Sequence, residues 1–300
     1  MKAVVTSYCI GWWNVRLRLP KDAVPSEGHI DYVFEAIKMM VAHHSLDILF
    51  LGEITEASVE ALRLKLKQLG FRIQHSNTNP KFNLAVAFNP SRINVGSRGL
   101  DSVVHLVDDE RRKVAQKLDV TLSDGTAVRF YPLHWPSRLY NPKDSALRSE
   151  MASYLRDTIR RFQDRSRGSS IVILGDFNDE PSDLPLMKLL GTRDVQMAKR
   201  RKYLFYNPFW RFLLSPTRYS RGVATQRPPG TFFYKKGKTH QWHVLDQMLF
   251  SSSFFGKSDW HLAEGSTMIF TFPGVCEIGP GGSNIVDHLP ILAAIERIGQ

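Results

Sequence analysis

Residues 170–178 read SIVILGDFN, from Ser170 through Gly175 to Asp176 and Asn178. An unbroken apolar run of strand length, rich in β-branched residues, predicts a strand buried on both faces. In extended backbone Asp176 and Asn178 point to the same side, so the strand ends by offering one acid and one neutral amide together. A strand of this kind needs cover on both sides, and the segments around it read as that cover. Residues 143–162, just upstream, read as a helix. Residues 46–54, LDILFLGEI, repeat the arrangement: a nearly continuous apolar strand that carries Glu53 at its end, with Thr55 placed to cap a helix running to residue 69.

Farther out, residues 4–15 read as a strand, and residues 29–44 carry Ile30, Val33, Phe34, Ile37, Met40 and Val41 at helical spacing. Strands follow at 71–75, 84–88, 114–122 and 128–134, and again at 244–250, 267–272 and 289–295. Helices interspersed with this many strands predict an α+β fold in which two sheets pack face to face with helices outside. Polar residues at the strand ends would then gather along one rim. Residues 191–230 are too many for a plain connection, so they either serve the function or hold structure of their own. The expected organisation is one domain over 1–300 with a basic, aromatic-rich insertion at about 191–230.

Composition narrows the class. With 300 residues, 43% hydrophobic and 23% charged, and with 20 Gly and 16 Pro, the chain is neither disordered, collagen-like nor disulfide-rich. No apolar run reaches the roughly 18 to 20 residues a spanning helix needs. The opening MKAVVTSYCI reads as a first strand rather than a signal peptide. Cys9 and Cys276 stand at opposite ends of the chain, which predicts buried thiols and a reducing, cytoplasmic setting.

The net charge is +11. Residues 195–245 contain no Asp or Glu and eleven Lys and Arg, so the rest of the chain sums to zero. Among these cations Arg200, Arg201, Lys202, Arg211, Arg218, Lys235 and Lys236 are the candidate nucleic-acid contacts, interleaved with aromatics that could stack on bases. Residues 203–214, YLFYNPFWRFLL, also read as a segment that dips into anionic lipid, or as aromatics that pack beneath a solvated loop.

Metal-capable or proton-transferring side chains stand within or beside apolar strands at Asn14, Glu53, His134, Asp176 with Asn178, Asp246, and Asp287 with His288. A carboxylate at the mouth of a buried strand must be solvated or paired, because burying its charge alone is costly. A divalent cation is the natural partner for Glu53. Hard carboxylate and amide oxygens, without clustered Cys or paired His, suit Mg²⁺ or Mn²⁺ far better than zinc. The acidic stretch 176–183 is not a calcium loop, since Pro181 and Met187 occupy its sixth and twelfth positions. Trp12, Trp13 and Trp135 read as packing residues. His240 and His243 are close to Asp246 in sequence, but the adjoining strand makes His243 a satisfied neighbour rather than a ligand.

Taken in order, WWNVR around Asn14, LFLGEI around Glu53, LHWPS around His134, ILGDFND at Asp176 and Asn178, WHVLDQMLFS around Asp246 and VDHLPI at Asp287 and His288 resemble the endonuclease/exonuclease/phosphatase superfamily through nearly the whole chain. That superfamily includes exonuclease III-like repair nucleases, deoxyribonuclease I, sphingomyelinases, inositol phosphatases and deadenylases. The resemblance implies a four-layered α/β/β/α sandwich of two mixed sheets and hydrolysis of a phosphoester at a Mg²⁺ site. It implies Glu53 as principal metal ligand, Asn14 beside it, and Asp287 completing the metal environment. Asp176 would orient or deprotonate the attacking water and Asn178 would bond the phosphate. His288, polarised by Asp246, would be a second catalytic centre, and His134 would contact a phosphate oxygen or act as general acid. The histidine at 134 resembles the deoxyribonuclease I, sphingomyelinase, phosphatase and deadenylase branches rather than the repair enzymes, which usually have tyrosine. The expected activity is therefore that of a Mg²⁺-dependent nuclease, of endonuclease type, acting on DNA. The alternative is a phosphatase or phosphodiesterase acting on a phospholipid or other small phosphoester at a membrane surface.

Overall fold

Alternation along β1 (Val4–Leu17) sends Tyr8, Ile10 and Trp12 to one face and Cys9, Trp13 and Val15 to the other, and both sets are buried. A strand covered on both faces belongs in the middle of a layered structure. The computed structural model describes residues 4–17, 26–76, 84–107, 109–138, 141–143, 145–166, 168–214, 228–272, 274, 276, 278 and 285–299.

After β1 come α1 (Glu27–His44), β2 (Leu46–Ile54), α2 (Glu56–Lys67), β3 (Arg72–His75), β4 (Ala85–Phe88), β5 (Ile93–Val95), β6 (Asp101–Val107), β7 (Glu110–Leu122), β8 (Ala127–His134), α3 (Ala146–Arg165) and β9 (Ser170–Asp176). The remainder runs α4 (Leu184–Lys188), β10 (Gly191–Thr192), α5 (Val195–Arg200), β11 (Phe205–Tyr206), a 3-10 helix (Pro208–Leu214), β12 (Phe232–Phe233), β13 (Trp242–His243), β14 (Asp246–Ser251), a second 3-10 turn (Ser252–Phe254), β15 (Trp260–Ile269) and β16 (Ile291–Ile298). Local signals set the helix ends. Thr55 Oγ1 accepts the Ser58 N–H at 3.2 Å to start α2, and Ser26 Oγ accepts the His29 N–H at 3.3 Å to start α1.

The first sheet has the order β15-β16-β1-β2-β4-β3, and the second β10-β11-β14-β9-β8-β7-β5 with β6 on β7. Both are mixed: β1 with β2 and β8 with β9 are parallel, while β1 with β16 and β9 with β14 are antiparallel. Between the sheets lie Trp12, Phe50, Phe130, Val172, Leu174, Phe250 and Ile291. Helices α1 and α2 cover the outer face of the first sheet through Val33, Ile37, Met40, Val59 and Leu62. Helix α3 covers the second sheet through Met151, Leu155 and Ile159 against Tyr131, Ile171 and Ile173. Each such side chain contributes about 1.5–3 kcal/mol when buried, so these three apolar layers outweigh the exposed ion pairs at about 0–1 kcal/mol each. The result is the four-layered α/β/β/α sandwich.

Several boundaries differ from the sequence reading. The strand expected at 267–272 is the end of β15, which begins at Trp260; exposed Glu264 and Gly265 interrupt its apolar pattern. The strand expected at 289–295 becomes β16, two residues later, and β14 starts at Asp246 rather than 244. The β6–β7 hairpin begins at Asp101, where the strand is mostly half-buried and its exposed residue is apolar Leu106, so no clean alternation marks it. Residues 191–214 hold β10, α5, β11 and a 3-10 helix, so this stretch has structure of its own. Cys9 and Cys276 are buried free thiols, and burial, reinforced by the Asp47 carboxylate, pushes the Cys9 thiol up to about 12.

Candidate active site

Strand register builds the site. His134 ends β8 opposite Asp176 at the end of β9, and Asp246 at the start of β14 pairs with the same Asp176. Cross-strand partners share a face, so the second sheet presents His134, Asp176 and Asp246 in one row. Gly175 makes this row possible: its φ is +151°, and a Cβ there would lie 2.0 Å from the Leu133 carbonyl oxygen. On the first sheet, Asn14 of β1 pairs with Gly52 of β2, immediately before Glu53. Inward-facing Ile48 and Phe50 would leave Glu53 on the opposite face by simple alternation. Instead its backbone turns left-handed, at φ 51°, and its carboxylate reaches the Asn14 amide.

The two sheets meet through Asn14. Its Nδ2 donates to Glu53 Oε1 at 3.2 Å and to Asp176 Oδ2 at 3.3 Å. His134 Nε2 stands 3.6 Å from Glu53 and 3.7 Å from Asp176. Asp246 Oδ2 accepts the Nδ1–H of His288 at 2.7 Å, which turns His288 Nε2 toward Asp176 Oδ2, 3.7 Å away. Asp287 is half-buried, and its charge acts on His288; no hydrogen bond links it to Asn14 or Glu53 among the described residues. Asn178, also left-handed at φ 51°, accepts no simple substrate-facing description: its Nδ2 donates to the Trp135 carbonyl at 2.9 Å, tying the ends of β8 and β9 together.

Burial raises the Asp176 carboxyl above the usual range, with Asp246 adding to the effect and the two histidines opposing it. Burial would lower His288, but Asp246 and then Asp176 overcome it and raise the imidazole to about 10. The site therefore holds an imidazolium beside a basic, desolvated carboxylate. Ligand atoms of Asp176, Asp246 and His288 lie within 4.8 Å of one another. The protonated His288 is not a ligand in that state, and the carboxylate oxygens of Glu53 and Asp176, brought together on the Asn14 amide, are the hard donors that fit a divalent cation.

Sequence reasoning missed the residues that hold the site in shape. Arg148 on α3 is 1% exposed; its guanidinium donates to Asp179 at 3.0 Å, to the Pro136 carbonyl at 2.6 Å and to the Asn178 carbonyl at 2.7 Å. Thr231 Oγ1 accepts the Asp246 N–H at 3.1 Å, and Phe232 packs its ring 4.8 Å from that of His288. Trp12 Nε1 donates to Asp246 Oδ1 at 2.7 Å and Trp13 Nε1 to the His288 carbonyl at 2.9 Å, so the tandem tryptophans pack and also orient the dyad. An Arg in register with Met151, Ala152, Leu155 and Ile159 on the buried helix face was the available signal for Arg148. Glu180 accepts from His243 Nδ1 at 3.3 Å, and although burial opposes its ionisation, His243, Arg138 and His240 hold it below the usual carboxylate range.

The basic residues do not share one surface. Arg200, Arg201 and Lys202 precede β11, which pairs with Phe250 and Ser251 at the far end of β14, about 17 Å from Asp246 at strand rise. Lys202 is paired with Asp164 at 2.8 Å and Arg211 with Glu264 at 3.1 Å. Lys235 and Lys236 are exposed in the β12–β13 connection, whose strand residue Phe232 touches His288. Arg218 lies outside the described residues. In the 203–214 segment Phe205, Tyr206 and Phe209 are core residues, while Tyr203, Trp210 and Phe212 are half-buried. Its large exposed apolar side chain is Leu214, and the burial of the three core aromatics accords with the reading of aromatics that pack beneath the loop. No helix of the described residues is long and apolar enough to cross a membrane.

A family model described as "Endonuclease/Exonuclease/phosphatase family" matches residues 26–275, and the chain belongs to that family. Among similar solved structures is the human Nocturnin catalytic domain with bound sulfate, at 15% identity and TM-score 0.63, covering 98% of this chain and 95% of that one. Another is D. rerio TDP2 complexed with single-strand DNA product, at 14% identity and TM-score 0.58, covering 97% and 99%. A third is the mannosyl-6-phosphatase Bt3783 of Bacteroides thetaiotaomicron VPI-5482, at 14% identity and TM-score 0.60, covering 96% and 99%. These likenesses show the shared fold. No curated protein sequence matches the chain significantly.

Proposed function

We propose that this member of a phosphoester hydrolase family is a Mg²⁺-dependent phosphodiesterase that cuts DNA as an endonuclease. The observation that carries the reading is the meeting of Asn14, Glu53, His134, Asp176 and His288 where the two sheets converge. Glu53 would hold the cation, with Asn14 and Asp287, and the ion would neutralise phosphoryl oxygens as a Lewis acid. Asp176, buried and basic, takes a proton from the attacking water. His288, kept protonated by Asp246, donates to a non-bridging oxygen as charge builds there. His134 is placed to protonate the departing alkoxide. Asn178 steadies the loop and has a second amide hydrogen for the phosphate.

DNA is favoured by the +11 net charge and by exposed Lys235 and Lys236 on the hairpin that borders His288. A small phosphoester is the second reading, supported by the distance of Arg200, Arg201 and Lys202 from the site and by the sugar-phosphatase among the structural neighbours. The deciding experiment compares wild type with His288→Ala, in Mg²⁺ or EDTA, on supercoiled plasmid, single-stranded DNA, RNA, sugar phosphates and anionic lipids. Metal-dependent plasmid nicking that the variant lacks is the expected result. Phosphate or headgroup release without nicking transfers the proposal to the second reading.

A further inference from the structure

We propose that Glu180, His240 and His243 form a second metal site, separate from the catalytic centre, for a borderline-soft divalent cation of the zinc class. Their ligand atoms lie within 4.8 Å of one another. Glu180 follows β9, His243 is on β13 and His240 is in the β12–β13 connection, so the fold gathers three ligands from two distant segments. An ion pair explains Glu180 with His243, 3.3 Å apart, but not why a second imidazole stands there, its ring 4.6 Å from the first and tilted 56° to it. Two imidazoles and one carboxylate with an open fourth position are a donor set for zinc, whereas the oxygen-rich catalytic cluster suits a harder ion.

The surroundings fit a ligand role. His240 Nδ1 is 3.1 Å from Thr239 Oγ1, a contact that sets the ring and directs Nε2 away. The Glu180 N–H donates to Asp183 Oδ2 at 2.8 Å, fixing the turn that carries the carboxylate. Glu180 and His240 line a cavity of about 590 Å³ together with Leu213 and Trp242, which gives a cation entry and room for water. Tetrahedral zinc donors stand about 3.4 Å apart, so binding draws the cluster together by up to about 1.4 Å. Exposed His240 can make that movement. The bound cation would clamp the β12–β13 hairpin to the β9 turn. Because the hairpin contributes Phe232 against His288, and Thr231 beside it holds Asp246, the clamp would steady the catalytic dyad without joining the chemistry.

The test uses Zn²⁺ alone as probe, by equilibrium dialysis of full-length Glu53→Gln protein in excess Mg²⁺, which occupies or disables the oxygen-lined centre. Tetrahedral Co²⁺ absorption reports the donor set. The expected result is one equivalent of Zn²⁺ lost, or bound at least about tenfold more weakly, in both His240→Ala and Glu180→Gln. His240 is exposed, so its removal leaves the fold intact, and a melting curve checks this. Equal Zn²⁺ stoichiometry and affinity in His240→Ala and its parent would overturn the site, as would the absence of Zn²⁺ from the parent. The readout is binding rather than hydrolysis, so it stands or falls apart from the nuclease reading.

Discussion

The site depends on individual groups held in unusual states. Asp176 is desolvated, and His288 is kept charged by a 2.7 Å bond to Asp246. Replacing Asp176 by Asn keeps the size and removes the base, so kcat is expected to fall about 10²- to 10⁴-fold with KM little changed. Full activity in steady-state assays of Asp176→Asn would contradict the water-activation role. Arg148 is a structural counterpart. Burial already raises the Asp179 carboxyl to about 7, and removing the Arg148 guanidinium takes away its main counter-charge and a donor to the Pro136 and Asn178 carbonyls, so Arg148→Ala is expected to cost about 3 kcal/mol in urea unfolding. Adding Asp179→Asn should recover part of that loss, whereas simple additivity would show that the pair is not coupled.

Elements decide where those residues meet. The β8–β9 pairing leaves no room beside Gly175, so Gly175→Ala must push the backbone away from Leu133. More than about 2 kcal/mol of lost stability is expected, with hydrolysis falling as His134 moves off Asp176. A melting temperature equal to wild type would show that the contact relaxes freely. The basic elements give a contrasting prediction. If the β12–β13 hairpin meets DNA, Lys235→Ala with Lys236→Ala raises KM for plasmid severalfold, while Arg200→Ala with Arg201→Ala at the far end of β14 does not. The reverse order of effects would place the nucleic-acid path on the opposite end of the sandwich.

For the whole molecule, charge and core act separately. Binding through phosphates weakens linearly in log affinity against log salt, by about 0.9 per contact on duplex DNA. Filter binding of the catalytically silent His288→Ala protein should show that slope reduced by about 2 when Lys235 and Lys236 are both removed; an unchanged slope would exclude them as phosphate contacts. The core predicts thiol chemistry. Cys9 stays protonated in the fold to about 12, against 9.0 when unfolded, so the native state binds the proton more tightly. Stability from this group is complete below pH 9 and falls as pH rises above it. Native protein at pH 8 should therefore resist iodoacetamide and react fully only in urea.

Apolar periodicity by itself determined the buried central strands, the capped helices that cover them and the two-sheet class, since burial leaves its period in the sequence. It also marked Asn14, Glu53, His134, Asp176, Asp246 and His288, because polar groups at the ends of apolar strands are conspicuous. Only the tertiary structure decided how those ends align, through the β8–β9–β14 register and the left-handed turn at Glu53. Arg148, Thr231 and the indole N–H groups of Trp12 and Trp13 were hidden because each acts on a residue distant in the chain. The basic segment shows the same limit most plainly. Its eleven cations are adjacent in sequence, yet the fold sends Arg200 to Lys202 to one end of the sandwich and Lys235 and Lys236 to the other, because charge leaves no period from which position can be read.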